Sequence, residues 1–313
     1  MADPRSTRRQ RVWRARFLLA LLALLTTMAA LGWWIGYRAA DTAVTARPAL
    51  WRISQGTREA YLFGTIHAVP RNARWLSPAI ARAVERSDLL LLEVTNLESE
   101  RRTRAIFEQL GRSPGLPAIS ARLDTADAAR FAALERQYPG ELRHLARYES
   151  WAAALLINAA ASSSLALSAD NAGEAVLSAR FTQAGKPVEG LEAIAGQLGL
   201  FDTLPQSDQQ RLLTQAVREA GDASDLYHAL YTAWASGDVA SLQRQFLEPF
   251  ARAPNLWHVL VDARNRRWST LIDQRLRARP GVIFIAVGAG HLIGAQSVQA
   301  RLATLGWRIE RLQ

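Results

Sequence analysis

Cysteine is absent from the 313 residues. That excludes disulfides, thiolate metal ligands and a cysteine nucleophile, and it is compatible with either side of a membrane. Lysine is nearly absent as well: Lys186 is the only one, so arginine carries the basic charge. Gly-x-Ser-x-Gly, His-Glu-x-x-His, a P-loop and a Gly-x-Gly-x-x-Gly after a strand are all missing, and Gly288-Ala289-Gly290 lacks a third glycine and a following helix start. Nucleotide binding therefore ranks low, and the motif-bearing serine hydrolases and zincins are set aside. Internal repeats are also lacking, and the only compositional bias is a richness in alanine and arginine.

What is present is ordinary globular composition. Hydrophobic residues make up 49% and charged residues 21%, which excludes global disorder and allows a sizeable core. The formal net charge is +10, yet Arg5, Arg8, Arg9, Arg11, Arg14 and Arg16 against Asp3 place half of it in the first sixteen residues. The remainder reads as a mildly basic solvated surface, so no nucleic-acid partner is expected.

Residues 17–37 carry no charge. As a helix rising about 1.5 Å per residue they would span about 30 Å, the thickness of a hydrocarbon core. Arginines crowd the N-terminal side, and Trp33, Trp34 and Tyr37 sit where an aromatic belt belongs. This predicts a cytoplasmic tail over residues 1–16, an uncleaved signal anchor over 17–37, a linker over 38–48, and a main domain over 49–313 on the periplasmic or extracytoplasmic side. A cleaved signal peptide is the rival, weakened by the length of the run and the lack of a small-x-small site after it.

The main domain reads as α/β: a mixed central sheet flanked by helices, with a largely helical middle insertion. Leu50–Ile53 and Tyr61–Phe63 flank a polar turn containing Gly56, a hairpin signal. Ser77-Pro78 opens a helix with a cap residue and a proline at the first position. Leu89–Val94 is expected to be a buried strand parallel to the first. Residues 98–110, 125–137 and 174–184 are expected helices, with a short strand after Lys186. The apolar run 151–167 is read as a buried helix because Asn158 and Ser162–Ser164 interrupt it. Three helices over 205–247, one long helix over 255–279, and strands at 282–287 and 307–312 complete the chain.

Two histidines stand out. His67 follows Gly64, and His291 follows Gly288, each just beyond an apolar strand, as though a glycine-permitted turn delivered the imidazole. Neutral imidazole is a good ligand for zinc, manganese or cobalt. Glu93 ends the strand at 89–94, where a carboxylate is costly unless paired or metal-bound. Glu174 and Glu192 are further carboxylates for a mixed site, although alone each reads as a helix N-terminal acid. Arg264 and Arg267 share a helix face beside Asn265, so one arginine can hold a substrate carboxylate or an oxyanion. His144, His228 and His258 lack a glycine setting and read as structural.

These motifs, in order, resemble one family. Tyr61–His67 (YLFGTIH), Leu89–Val94 (LLLLEV), Gly185–Glu192 (GKPVEGLE), Gln197–Pro205 (QLGLFDTLP), Arg264-Asn265 and Val287–Gly294 (VGAGHLIG) are similar to the TraB/GumN family, related to the Tiki proteases, over residues 49–313. The family pattern reads Gly-Leu-Glu-Thr where Ala193 follows Glu192 here. The resemblance implies an α/β fold with both Gly-x-x-His motifs in one site, and a divalent-metal-dependent protease preferring manganese or cobalt, with zinc also suited. Carried over, it names His67, Glu93 and His291, read as metal ligands, with Glu192 and Arg264 as catalytic candidates; Glu174 and Asn265 remain further candidates from the residues themselves. The expected partners are a peptide or protein substrate and the membrane. A non-catalytic protein that captures a peptide or signal in the same cleft is the alternative.

Overall fold

The computed structural model describes residues 45–95, 100–163, 165, 167–247, 250 and 253–313. The expected anchor, residues 17–37, lies outside them; among the described residues no helix is long and apolar enough to cross a membrane. The strands are β1 (Leu50–Gln55), β2 (Arg58–Thr65), β3 (Val69–Pro70), β4 (Leu89–Leu92), β5 (Leu167–Ser168), β6 (Val188–Gly190), β7 (Ile283–Gly288) and β8 (Arg308–Arg311). The helices are α1 (Pro78–Arg86), α2 (Glu100–Gly111), α3 (Thr125–Gln137), α4 (Pro139–Leu142), α5 (Ser150–Ser162), α6 (Gly173–Gln183), α7 (Ile194–Asp202), α8 (Gln206–Glu219), α9 (Ala223–Ala235), α10 (Val239–Leu247), α11 (Pro254–Trp257), α12 (Ala263–Ala278) and α13 (Val298–Thr304).

The chain divides into two units, one taking Leu97–Ala169 and Ile194–His228 and the other the segments up to Asn96, Asp170–Ala193 and Ala229–Gln313. The second unit holds a six-stranded mixed sheet in the order β6-β4-β7-β2-β1-β8. β6, β4, β7 and β2 run parallel, while β1 is antiparallel to both β2 and β8. β4 is thus parallel to β2 as expected, with β7 between them. Ligand sites of open parallel sheets form beyond the carboxyl ends of the strands. Here four such ends share one edge.

The local sequence explains these elements. The β1–β2 turn uses Gly56 at φ 59°, a left-handed conformation that glycine adopts without strain. β7 is buried at all six positions, the continuous burial expected of a parallel strand covered on both faces. In α1, the Ser77 side chain accepts the Ile80 N–H and Pro78 opens the helix, leaving Ile80, Ala83 and Val84 to pack inward. Across the sheet, Ile53, Leu62, Leu91, Ile285 and Val287 pack with Trp268, Ile272 and Leu276 of α12 and with Val298 and Leu302 of α13.

The other unit is helical. Trp151 of α5 lies edge-on to Phe107 at 5.6 Å and stacks on Phe201 at 6.0 Å, so an aromatic cluster anchors it. The alanine-rich run is a buried helix, as expected, but it stops at Ser162 instead of continuing to Leu167. The Ser162 and Ser163 hydroxyls turn back onto the carbonyls of Asn158 and Ala160, competing with helix continuation.

Two further features differ from the sequence reading. The helical middle is not one insertion, because residues 170–193 return to the sheet-bearing unit and supply α6 and β6. The long helix expected over 255–279 contains a π-helical stretch, His258–Asp262, immediately before α12. Such π turns shift the phase of the helix that follows and are frequent at functional sites. Apolar periodicity alone gives no sign of one.

Candidate active site

At the shared strand edge the sheet-bearing unit gathers every candidate residue. His67 follows β2, Glu93 follows β4, Glu192 follows β6, and His291 sits in a 3₁₀ turn, Ala289–Leu292, directly after β7. Glu174 comes from the first turn of α6, while Arg264 and Asn265 come from the first turn of α12. His144, His228 and His258 are exposed and lie elsewhere.

The motif glycines do not act as expected. Neither Gly64, Gly288 nor Gly290 has positive φ, so no left-handed turn delivers the histidines. Each glycine permits a close approach instead. A Cβ on Gly64 would stand 3.1 Å from the Ala289 Cα, which seats one histidine motif against the other. A Cβ on Gly290 would fall 2.1 Å from the Phe246 ring, and one on Gly288 would lie 3.1 Å from Glu93 Oε1 and 4.0 Å from His67 Nε2. The Gly288 N–H donates to Glu93 Oε1 at 2.6 Å. Gly288 is therefore the floor of the site.

Arg264 is the hub, and it is almost wholly buried. Its Nε–H donates to Glu192 Oε1 at 3.1 Å, one NH1 hydrogen to Leu260 O at 3.0 Å, and the other faces His291 Nε2 at 3.1 Å. NH2 donates to Glu93 Oε2 at 3.0 Å and to Glu192 Oε1 at 2.5 Å. A guanidinium has five N–H donors, and these contacts engage all five. Its flat face stacks on Trp268, 4.4 Å from the ring centroid. Trp268 stands one turn after Arg264, an i,i+4 relation legible in the sequence though not singled out from it.

This arrangement assigns the His291 tautomer. Arginine only donates, so His291 Nε2 accepts, and the proton resides on Nδ1. Nδ1–H in turn meets Asn265 Oδ1 at 2.6 Å, while the Asn265 amide donates to Gln296 O at 2.9 Å. Burial, then the neighbouring Arg264 and His67 charges, hold the His291 pKa well below 6.5. It is a neutral imidazole at physiological pH.

His67 is tuned the other way. Burial disfavours its charge, but Glu174 and then Glu93 outweigh that and raise its pKa. Nδ1 lies 2.8 Å from Glu174 Oε1, an ion-pair distance without the alignment of a good hydrogen bond. Thr65, which the sequence reading passed over, donates its hydroxyl to the same oxygen at 2.5 Å. Glu174 tolerates burial as an anion, because His67 and Thr65 lower its pKa against desolvation. Glu93 does not reach that balance: burial raises its pKa in spite of Arg264 and His67. His67 Nε2 is buried and has no hydrogen-bond partner among the described residues.

This order of strands, histidine motifs and helix-borne Arg264-Asn265 is matched along the chain: residues 49–311 fit the model of the TraB/PrgY/gumN family. The chain belongs to the TraB/PrgY/gumN family. No curated protein and no solved structure matches it. Family membership accounts for the ordered motifs and leaves the reaction open.

The donor chemistry fits a divalent cation in kind. Two imidazoles have an outer nitrogen anchored to a side-chain oxygen, the support that metal-bound histidines usually have, and His67 presents a free buried lone pair. Glu93, expected as the third ligand, approaches His291 Nε2 at 3.8 Å. In this arrangement Arg264 covers His291 Nε2, and among the described residues no three such side chains are grouped as a bound ion would group them.

Proposed function

We propose that this TraB/PrgY/gumN chain is a hydrolase, a cation-assisted peptidase held at a membrane by residues 17–37, with its main domain on the extracytoplasmic side. The observation that carries the proposal is His67: a buried imidazole, backed by Glu174, whose Nε2 opens without a partner onto Glu93 and Gly288. An orphaned buried nitrogen is costly in a merely structural setting.

His67, Glu93 and His291 would hold the ion, manganese or cobalt first and zinc next, with Arg264 giving up the His291 nitrogen. A bound divalent cation supplies polarisation of a carbonyl and a more acidic water. The chain's own groups set the stage for that chemistry. Asn265 fixes the His291 ring and proton, and Glu174 with Thr65 fixes His67. Gly288 N–H and Arg264 hold the two oxygens of Glu93 in place. Glu192, gripped by Arg264 and by Arg267, keeps the guanidinium aligned. Arg264 positions Glu93 and Glu192, and the NH1 donor it withdraws from His291 is then available to a substrate oxygen.

A second reading is favoured by the Arg264–His291 contact. With His291 capped, His67 Nε2 is the free base of the site, and Glu174 stabilises the imidazolium formed when that atom takes a proton from water. Both readings are hydrolytic. Turnover of a peptide library by the full chain, with and without a chelator, separates them: loss on chelation and recovery with manganese supports the cation, and unchanged turnover supports the His67–Glu174 pair. Tight peptide binding with no turnover under any metal would overturn both and favour a capture protein.

A further inference from the structure

Along its C-terminal half, the outward face of α12 carries a groove of about 290 Å3 lined by Leu271, Gln274, Arg275, Ala278 and Arg279. These positions repeat at helical spacing and form one stripe. One turn toward the site, the same stripe reaches Arg267. Its NH2 donates to Glu192 Oε2 at 2.7 Å, while its Nε and NH1 are without partners among the described residues, and the side chain is 48% exposed. Glu192 in turn grips Arg264, so Arg267 connects the stripe, one turn beyond the groove, to the site.

Strand β6 runs along the other side. Glu189 of β6 pairs with both Arg275 and Arg279, and among the described residues β6 is the edge strand of the sheet, with no neighbour beyond it. An open edge presents unpaired backbone N–H and C=O groups, onto which an extended chain can add. Along this face Arg275 and Arg279 share the single carboxylate of Glu189, while Arg267 pairs with Glu192, which Arg264 also holds. The stripe is left with net positive charge, and Leu271 adds one apolar contact point.

We propose that this groove binds an acidic stretch of extended peptide and leads it to the site, with Arg267 nearest the reacting centre. The volume sits at the lower edge of the ~300–1,000 Å3 usual for ligand pockets, which suits a few residues of a longer chain held also by the β6 edge. The proposal rests on the peptidase reading for its purpose, and not for the binding itself.

The test is fluorescence anisotropy on the full chain with a labelled short peptide rich in aspartate and glutamate, against the same peptide with asparagine and glutamine. The acidic peptide should bind at least about tenfold more tightly, and its affinity should fall as salt is raised. Arg275→Gln with Arg279→Gln should remove that preference, whereas His67→Ala should keep it. Arg279 is exposed and Arg275 partly so, and the double variant should retain the fold, which circular dichroism checks. Equal binding of the two peptides, or a preference untouched by the double variant, overturns the groove. Acidic binding with no cleavage of any peptide sinks the peptidase reading and leaves the groove standing, whereas cleavage indifferent to acidic residues does the reverse.

Discussion

Replacing Arg264 with methionine removes five buried donors while keeping much of the apolar stem. It leaves Glu93, Glu192, the Leu260 carbonyl and His291 Nε2 without their common partner. Breaking a buried ion pair by removing one member costs about 3–5 kcal/mol. In a unit of this size that lowers Tm by roughly 6–20 °C. The loss must also depend on pH, through Glu93. Its folded pKa lies above the ordinary 4.5 because burial outweighs Arg264 and His67. A carboxyl raised in the folded state favours folding while protonated and loses that contribution as pH rises through its folded pKa. Without Arg264 the carboxyl moves further up, so the penalty of Arg264→Met is largest near neutrality and shrinks as pH falls and Glu93 protonates. Urea unfolding of the full chain followed by tryptophan fluorescence, at neutral and at mildly acidic pH, measures both effects. A loss under about 1 kcal/mol, the scale of a surface pair, or a loss independent of pH, would refute the description of Arg264 as a saturated buried hub.

Two other consequences are testable on the same protein. Gly290→Ala drives a methyl into the Phe246 ring and should cost about 1–3 kcal/mol, with a smaller cost in a Phe246→Leu background; equal costs in both would show that the contact is not what requires glycine. Glu174→Gln removes the main charge that raises the His67 pKa, so the His67 NMR titration midpoint in metal-free protein should fall. The ion pair contributes stability that is lost below the depressed Glu174 pKa and above the raised His67 pKa, so the variant's deficit should be greatest between 4.5 and 6.5. An unmoved midpoint contradicts the pairing.

Much of the framework was legible because it is local. The Gly56 hairpin, the Ser77-Pro78 helix start and the apolar runs at 89–92 and 283–287 each declare themselves through turn chemistry or burial pattern. The two histidine motifs could be paired from sequence through their matching Gly-x-x-His settings and the family resemblance, and the parallel pairing of β2 with β7 is what puts both on one edge. What escaped depends on contacts between distant segments. The motif glycines were read as permitting turns, and only the approach of Ala289, Phe246 and Glu93 shows that the absent Cβ is their purpose. For Arg264, read as a group that could hold a substrate carboxylate or an oxyanion, a sequence does not reveal the contacts its donors make with Glu93, Glu192, Leu260 and His291. The π stretch at 258–262 was hidden for a similar reason: its extra residue leaves the apolar pattern of α12 intact.

The central claim is that His67 and His291 belong to one cation-assisted hydrolytic site. The most direct measurement is manganese binding by the full chain, by titration calorimetry, alongside cleavage of a peptide library, for the parent, His67→Ala and His291→Ala. The account predicts one ion per chain in the parent and loss of both binding and cleavage in each variant. Variants that bind manganese and cleave as well as the parent would contradict it.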